Sequence, residues 1–181
     1  NDVAGARRMT RHLIDRGYRR ITFLLRKSRL NPPLAHLHHS ARERIRGYRQ
    51  AMRAAGLQPD VRTVAMQDIM EVTERMPENW LPDNKPVPEA IFCYDDDLAN
   101  SVAKLLYRRG LRVPDDIGLA GYNGSYASLC AWSPLTTMAI RTYEMGCASS
   151  SMALKLIGGE GEIEVPSVRF DSSLMIGEST R

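Results

Sequence analysis

The order of apolar and polar positions predicts a strand–helix–strand unit in the middle of the chain. Residues 90–94 form a short apolar run with β-branched and aromatic members, as in a buried strand. Four apolar residues then recur at helical spacing, namely Leu98, Val102, Leu105 and Leu106. Gly110 follows where a left-handed residue would end that helix, and residues 117–122 form a second apolar run. We therefore expect two parallel strands joined by a right-handed crossover helix.

The same spacing predicts alternating helices and strands on both sides of this unit. Further helices are expected over residues 4–16, 40–55, 68–76 and 141–157. Further strands are expected over residues 21–25, 61–66 and 134–138, with one or two more between 162 and 176. Ser40 and Glu43 form the capping box S-x-x-E, which predicts that the second helix starts at Ser40. The fold class predicted is α/β, with a doubly wound, mostly parallel sheet.

Polar side chains follow both strands of the central unit. Asp95, Asp96 and Asp97 come directly after the first strand, and Asn123 follows the second. Because open parallel sheets bind ligands beyond the carboxyl ends of their strands, we expect the functional site there. A carboxylate at this position can also cap the next helix. We predict that Asp95 faces the cleft and that Asp96 or Asp97 is the cap.

The composition of the chain excludes some classes of protein, such as membrane-spanning proteins, but does not identify its function. The net charge of +4 over 181 residues allows a nucleic-acid partner but does not require it, since most arginines are expected on solvated helix faces with acids interspersed. No run approaches the roughly 20 apolar residues of a membrane span, and the first residues lack the apolar core of a signal peptide. The three cysteines have no C-x-x-C spacing, which favours a reducing, cytoplasmic location. Cys93 and Cys147 are predicted to be core residues.

The sequence gives little support to a catalytic or metal site. Carboxylates at a strand end hold Mg²⁺ in receiver domains and phosphotransferases, but Lys104 and Lys155 fall within helices and not at later strand ends. The histidines His36, His38 and His39 share a loop without a clear fourth ligand, which favours a surface cluster over a metal site. No G-x-S-x-G motif is present. We predict a protein that is not an enzyme and has no cofactor or metal.

Five longer motifs carry a resemblance to a known family. GARRMTRHLIDRGYRRITFL, RIRGYRQAM, PEAIFCYDDDLA, GLRVPDDIGLAGYN and SPLTTM occur in the order found in LacI/GalR-type transcription regulators. The resemblance covers nearly the whole chain. It implies a periplasmic-binding-protein-like domain that binds a small effector, a sugar or sugar acid, and forms a homodimer. It also implies operator DNA binding through a helix-turn-helix that this chain does not contain. A sugar-binding protein of a transporter is the alternative.

The resemblance also divides the chain between two lobes. Residues 1–18 and 139–160 would be helices of a partial amino-terminal lobe. Residues 19–138 and 161–181 would form the carboxy-terminal lobe. Because the sheet of the partial lobe is missing, the apolar faces of its two helices are expected to lie uncovered. These faces comprise Ala6, Met9 and Leu13 in the first helix and Met145, Ala148, Met152 and Leu156 in the second.

The resemblance places the effector-binding residues at Ser40, Arg44, Phe92, Asp95 and Asn123. Arg44 has a guanidinium fork suited to a carboxylate or to vicinal hydroxyls, although it could equally be a solvated arginine. Phe92 lies within a strand and could be a core residue instead of a stacking platform. Asn123 replaces the aspartate of the family's Gly-Tyr-Asp motif with an amide that both donates and accepts. Some gluconate-responsive members share this change and the following glycine, which favours a sugar acid bound through its carboxylate to Arg44.

Overall fold

A computed structural model describes the protein over residues 1–27, 38–65, 87–129, 133–158 and 167–181. Within these ranges the helices are α1 (Asp2–Asp15), α2 (His39–Ala54), α3 (Asp96–Arg108), α4 (Tyr126–Leu129) and α5 (Thr142–Gly158). The strands are β1 (Ile21–Lys27), β2 (Asp60–Ala65), β3 (Ala90–Cys93), β4 (Gly118–Asn123), β5 (Thr136–Ala139) and β6 (Ser173–Met175).

The strands form one six-stranded sheet in the order β2-β1-β3-β4-β5-β6. The first four neighbouring pairs are parallel, and β6 lies antiparallel to β5 at one edge. The predicted α/β class with a mostly parallel sheet is therefore confirmed. The predicted helix over 68–76 lies outside the described residues.

Helices cover both faces of this sheet. On one face, α1 and α2 pack over the aromatic core that contains Phe23, Phe92 and Tyr122. On the other face, α3 packs over aliphatic strand residues such as Leu24 and Leu119. Apolar residues at helical spacing on α3 and at strand ends explain this arrangement, because each helix buries one stripe against the sheet.

The two helices expected to be uncovered behave differently. Ala6, Met9 and Leu13 of α1 are each 0% exposed, because α2 and the sheet cover them, so this part of the expectation was wrong. Helix α5 has no fully buried residue. On the face predicted to be uncovered, Met145 and Leu156 are exposed, whereas Ala148 and Met152 are half-buried. The division of the chain between two lobes stays a prediction.

Two local predictions need correction. Helix α2 starts at His39, and its N-cap is His38, whose Nδ1 accepts the Ser40 N–H at 3.4 Å. The Ser40 hydroxyl does not cap the helix because it bonds to the hydroxyl of Tyr94 instead. Cys147 is exposed on α5 and is not a core residue, whereas Cys93 is buried as predicted.

None of the described helices has the length and apolarity needed to cross a membrane.

Candidate functional site

The polar residues predicted from the sequence meet where β1, β3 and β4 end. Arg44 projects from α2 toward this edge and is only 5% exposed. Its Nε donates to Asp2 Oδ1 at 2.8 Å, its Nη1 donates to the Tyr94 carbonyl at 2.6 Å, and its Nη2 donates to Asn123 Oδ1 at 3.0 Å. One guanidinium thus ties α1 and α2 to the ends of two strands. We call Arg44 with Asp2, Tyr94 and Asn123 the Arg44 cluster.

Two tyrosine rings lie beside the same guanidinium. The Arg44 guanidinium carbon is 3.7 Å from the ring centroid of Tyr122 and 4.7 Å from that of Tyr94, distances typical of cation–π contacts. Burial raises the pKa of Tyr122 to about 12, and the nearby Asp2 carboxylate adds to this shift. Because three of the five guanidinium N–H groups are used, two remain without an acceptor among the described residues. The cluster therefore retains donors for a ligand.

Ser40 joins this cluster through Tyr94. Its Oγ lies 2.7 Å from the Tyr94 hydroxyl and 2.8 Å from His38 Nδ1. The half-buried Ser40 therefore supports the tyrosine whose carbonyl receives Arg44, and the two hydroxyls offer both donors and acceptors.

Asp95 has two partners, one of which sequence reasoning missed. Its Oδ1 accepts the Leu98 N–H at 2.8 Å, so Asp95, and not Asp96 or Asp97, is the N-cap of α3. Its Oδ2 pairs with Nη2 of Arg26, the residue that follows the apolar run of β1. A basic residue directly after the apolar run of residues 21–25 was the signal that could have identified Arg26. Asp95 thus places a second ion pair at the same sheet edge.

Asp96 is turned into the interior and is 0% exposed. Its carboxylate accepts hydrogen bonds from the Ser125 N–H at 2.7 Å, the Ser125 hydroxyl at 3.0 Å and the Thr137 hydroxyl at 2.5 Å. A Cβ at Gly121 would lie 2.3 Å from Asp96 Oδ1, so only glycine allows this approach. Burial raises the pKa of Asp96, while these hydrogen bonds lower it. The carboxyl fixes the turn that follows Asn123, a residue held at a φ of 108°.

Phe92 lies apart from these polar groups. It is 0% exposed, makes an edge-on contact with Phe23 at 5.0 Å and stacks near Tyr122 at 6.3 Å between centroids. The structure therefore places Phe92 in the core beneath Tyr122, and its role in binding a ligand stays a prediction.

A groove opens on the solvent side of Asp2, between the starts of α1 and α2. It has a volume of about 600 Å³ and is lined by Asn1, Asp2, Val3, Ala4, Arg7, His39, Glu43, Arg46 and Arg169. Asp2 thus stands between this groove and Arg44. No local pattern marked Asp2 in the sequence. Among the described residues, no three His, Cys, Asp or Glu side chains are grouped to hold a metal ion.

Comparison with known proteins gives the family of the chain. Residues 10–180 match the periplasmic-binding-protein-like domain family. The chain belongs to this family. The resemblance to LacI/GalR-type regulators that the motifs indicated is confirmed by the relatives of this periplasmic-binding-protein-like domain.

Two curated relatives are transcription regulators by name. The domain is 28% identical over 179 residues to the HTH-type transcriptional regulator CelR of Thermobifida fusca, covering 99% of this chain and 50% of that protein. It is 29% identical over 170 residues to the HTH-type transcriptional repressor CytR of Escherichia coli, covering 94% of this chain and 47% of that protein. The chain therefore spans about half the length of these relatives.

Two solved structures share the fold of the domain. A complex of the transcriptional regulator CelR with cellobiose superposes with a TM-score of 0.80 at 28% identity, covering 98% of this chain and 52% of that chain. A dimeric Lac repressor with a C-terminal deletion superposes with a TM-score of 0.79 at 25% identity, covering 99% of this chain and 62% of that chain. Both superpositions extend over nearly the whole of this chain, which supports the α/β fold described above.

Proposed function

We propose that the protein is the effector-binding part of a LacI/GalR-type transcription regulator and that its effector is a sugar or sugar acid. The observation that carries the proposal is the buried Arg44 fork at the carboxyl edge of the sheet, tied to Asn123 and to Tyr94. The names of the relatives support the regulatory role, and the cellobiose complex of CelR supports a carbohydrate ligand. The same relatives favour a regulator over an enzyme or a transporter component.

The chemistry of the cluster suits a polyhydroxylated ligand. A sugar presents vicinal hydroxyls that need donors and acceptors at fixed positions. Arg44 supplies N–H donors, the Asn123 amide both donates and accepts, and the hydroxyls of Ser40 and Tyr94 do the same. In this proposal Asp95 holds the edge rigid by capping α3 and pairing with Arg26.

The remaining parts of the proposal concern the full-length protein. A homodimer would place two such domains side by side, and a helix-turn-helix outside this chain would bind operator DNA in the cytoplasm. Effector binding would favour one arrangement of the lobes over another, which changes the spacing of the two DNA-binding heads. The size of the response depends on the difference in effector affinity between the two arrangements.

A thermal-shift screen of the full-length protein tests the proposal. The panel contains neutral sugars, sugar acids, nucleosides and purines. A ligand that binds only the folded state stabilises it by about 2.7 kcal/mol at a hundredfold excess over Kd, which is readily detected. We expect a carbohydrate hit that disappears in Arg44→Ala and weakens in Asn123→Ala.

The matched control is Arg49→Ala. Arg49 lies on the same helix, is exposed and does not line the groove beside Asp2. It should keep the hit, because no hydrogen bond among the described residues joins it to the Arg44 cluster. A hit that survives unchanged in Arg44→Ala, or a nucleoside as the tightest ligand, would contradict the proposed site or ligand class.

A further inference from the structure

Both arginines at the sheet edge are already paired with carboxylates of the chain itself. The Arg44 side chain is 6% exposed and pairs with Asp2, which is 25% exposed. The Arg26 side chain pairs with Asp95, which is 7% exposed. These two pairs cancel in charge, and the buried carboxyl of Asp96 lies on the residue next to Asp95. The two arginines that reach this edge therefore carry no surplus positive charge once their paired carboxylates are counted, and the further arginines Arg7, Arg46 and Arg169 lie in the groove on the other side of Asp2.

This balance of charges determines which ligands can bind to Arg44 with little unfavourable electrostatic free energy. A neutral sugar can accept hydrogen bonds from the two remaining Arg44 N–H groups and donate a hydroxyl to Asp2 without separating the pair. A carboxylate must either displace Asp2 or lie close to it. Two like charges about 6 Å apart at an effective dielectric constant of about 20 repel enough to weaken binding about a hundredfold, before the attraction of Arg44 is counted.

Of the two paired carboxylates, Asp2 is the one that can discriminate between neutral and acidic ligands. We call this its selector role. Asp95 is committed twice, as the cap of α3 and as the partner of Arg26. Asp2 contacts Arg44 with one carboxylate oxygen, lies beside the Tyr122 hydroxyl, and also borders the groove between α1 and α2. It is therefore both bound to the cluster and accessible from solvent.

We propose that Asp2 is a specificity-determining residue of the effector site, which admits neutral sugars and disfavours their acids by occupying Nε of Arg44. This inference rests on the proposed function, because it names the ligand class of that same site. It also departs from the sugar acid that Asn123 and Gly124 favoured in the sequence. The charge that Asn123 lacks relative to aspartate is supplied here from α1, by Asp2.

The test compares matched ligand pairs in the full-length protein by isothermal titration. The pairs are glucose and glucuronate, galactose and galacturonate, arabinose and arabinonate, and cellobiose and cellobionate. In the wild-type protein we expect the neutral member of the binding pair to bind at least tenfold more tightly than the acid. In Asp2→Asn we expect this ratio to fall at least tenfold, because Arg44 then keeps an uncompensated positive charge.

Two further variants separate selection from a loss of folding. Asp2→Glu keeps the charge and should keep the wild-type preference. Asp97→Asn removes a charge from an exposed position in the first turn of α3 and should leave the ratio unchanged. A wild-type preference for the acid, or a ratio in Asp2→Asn within threefold of wild type, overturns the selector role while leaving the sugar site intact. Failure of every pair to bind any variant overturns the proposed function together with this inference.

Discussion

Tyr48 shows how one side chain joins the starts of two neighbouring strands. Its hydroxyl donates to the Ile21 carbonyl at 2.6 Å and accepts the Asp60 N–H at 2.8 Å. The residue is 0% exposed, and burial raises the pKa of its hydroxyl. The hydroxyl therefore links the backbone of β1 to that of β2 where the two strands begin.

Tyr48→Phe should destabilise the protein by about 1–3 kcal/mol, because it removes the hydrogen bonds that the buried hydroxyl makes to the backbone while keeping the ring. Urea denaturation followed by circular dichroism measures the change. Tyr126→Phe is the matched control, since Tyr126 is 80% exposed, and it should change the free energy of unfolding by less than about 0.5 kcal/mol. Equal effects of the two variants would refute this role of Tyr48.

Individual site residues were predictable only where a motif carried them. Arg44 and Asn123 were placed by the family resemblance, and the structure brings them into contact at 3.0 Å. Asp2 and Arg26 were missed because their partners are 42 and 69 positions away along the chain. No local spacing encodes such contacts, because they exist only once the sheet has formed.

The Asp96 carboxylate links separate secondary-structure elements to one another. Through Ser125 and Thr137 its carboxylate joins the start of α3 to the β4–α4 turn and to β5. Because burial raises its pKa, the folded protein binds this proton more tightly than the unfolded chain does. The carboxyl thus favours folding most at acid pH, and this contribution is lost as the pH rises from about 3.9, the ordinary aspartate pKa, through the folded-state pKa.

We predict that the free energy of unfolding of wild type minus that of Asp96→Asn falls across this pH window and is constant above it. Urea denaturation in steps between pH 4 and pH 8 measures the difference. Thr137→Val removes a hydrogen bond that lowers the Asp96 pKa, so it should move the fall to higher pH. A difference that rises with pH would show that another group controls this region.

The locations of the secondary-structure elements were predicted more accurately than the residues at which the helices begin. The apolar runs located β1, β3 and β4, because buried parallel strands carry uninterrupted apolar residues. The ends depended on competition between polar side chains. The capping box predicts Ser40 as the cap of α2, but its hydroxyl bonds to Tyr94. Asp95 caps α3 in place of the predicted Asp96 or Asp97.

Helix α5 presents an apolar surface to solvent in the described chain. Its most exposed large apolar residues are Tyr143 at 80%, Leu154 at 70% and Ile157 at 82%. Surfaces of this kind associate with one another when nothing covers them. The sequence predicted an uncovered helix here because the resemblance implied a missing sheet.

We predict that residues 1–181 alone self-associate at tens of micromolar. The double variant Leu154→Gln/Ile157→Gln should shift the mass measured by sedimentation velocity toward the 20.4 kDa of one chain. Tyr126→Gln removes an equally exposed aromatic residue from α4 and should not change the association. A monomeric wild-type chain at these concentrations would contradict the prediction.

The contacts of α1 have a consequence for how the chain folds during synthesis. Arg8 donates to the Ser172 carbonyl at 3.4 Å across 164 positions, and His12 meets Thr180 at 3.3 Å across 168 positions. At ribosomal speeds of about 5–20 residues per second, α1 waits roughly 10–30 s for these partners. Meanwhile its apolar stripe depends on α2 and the early strands alone. Slow codons between the two segments would therefore lengthen the interval in which a nascent chain is open to chaperones and proteases.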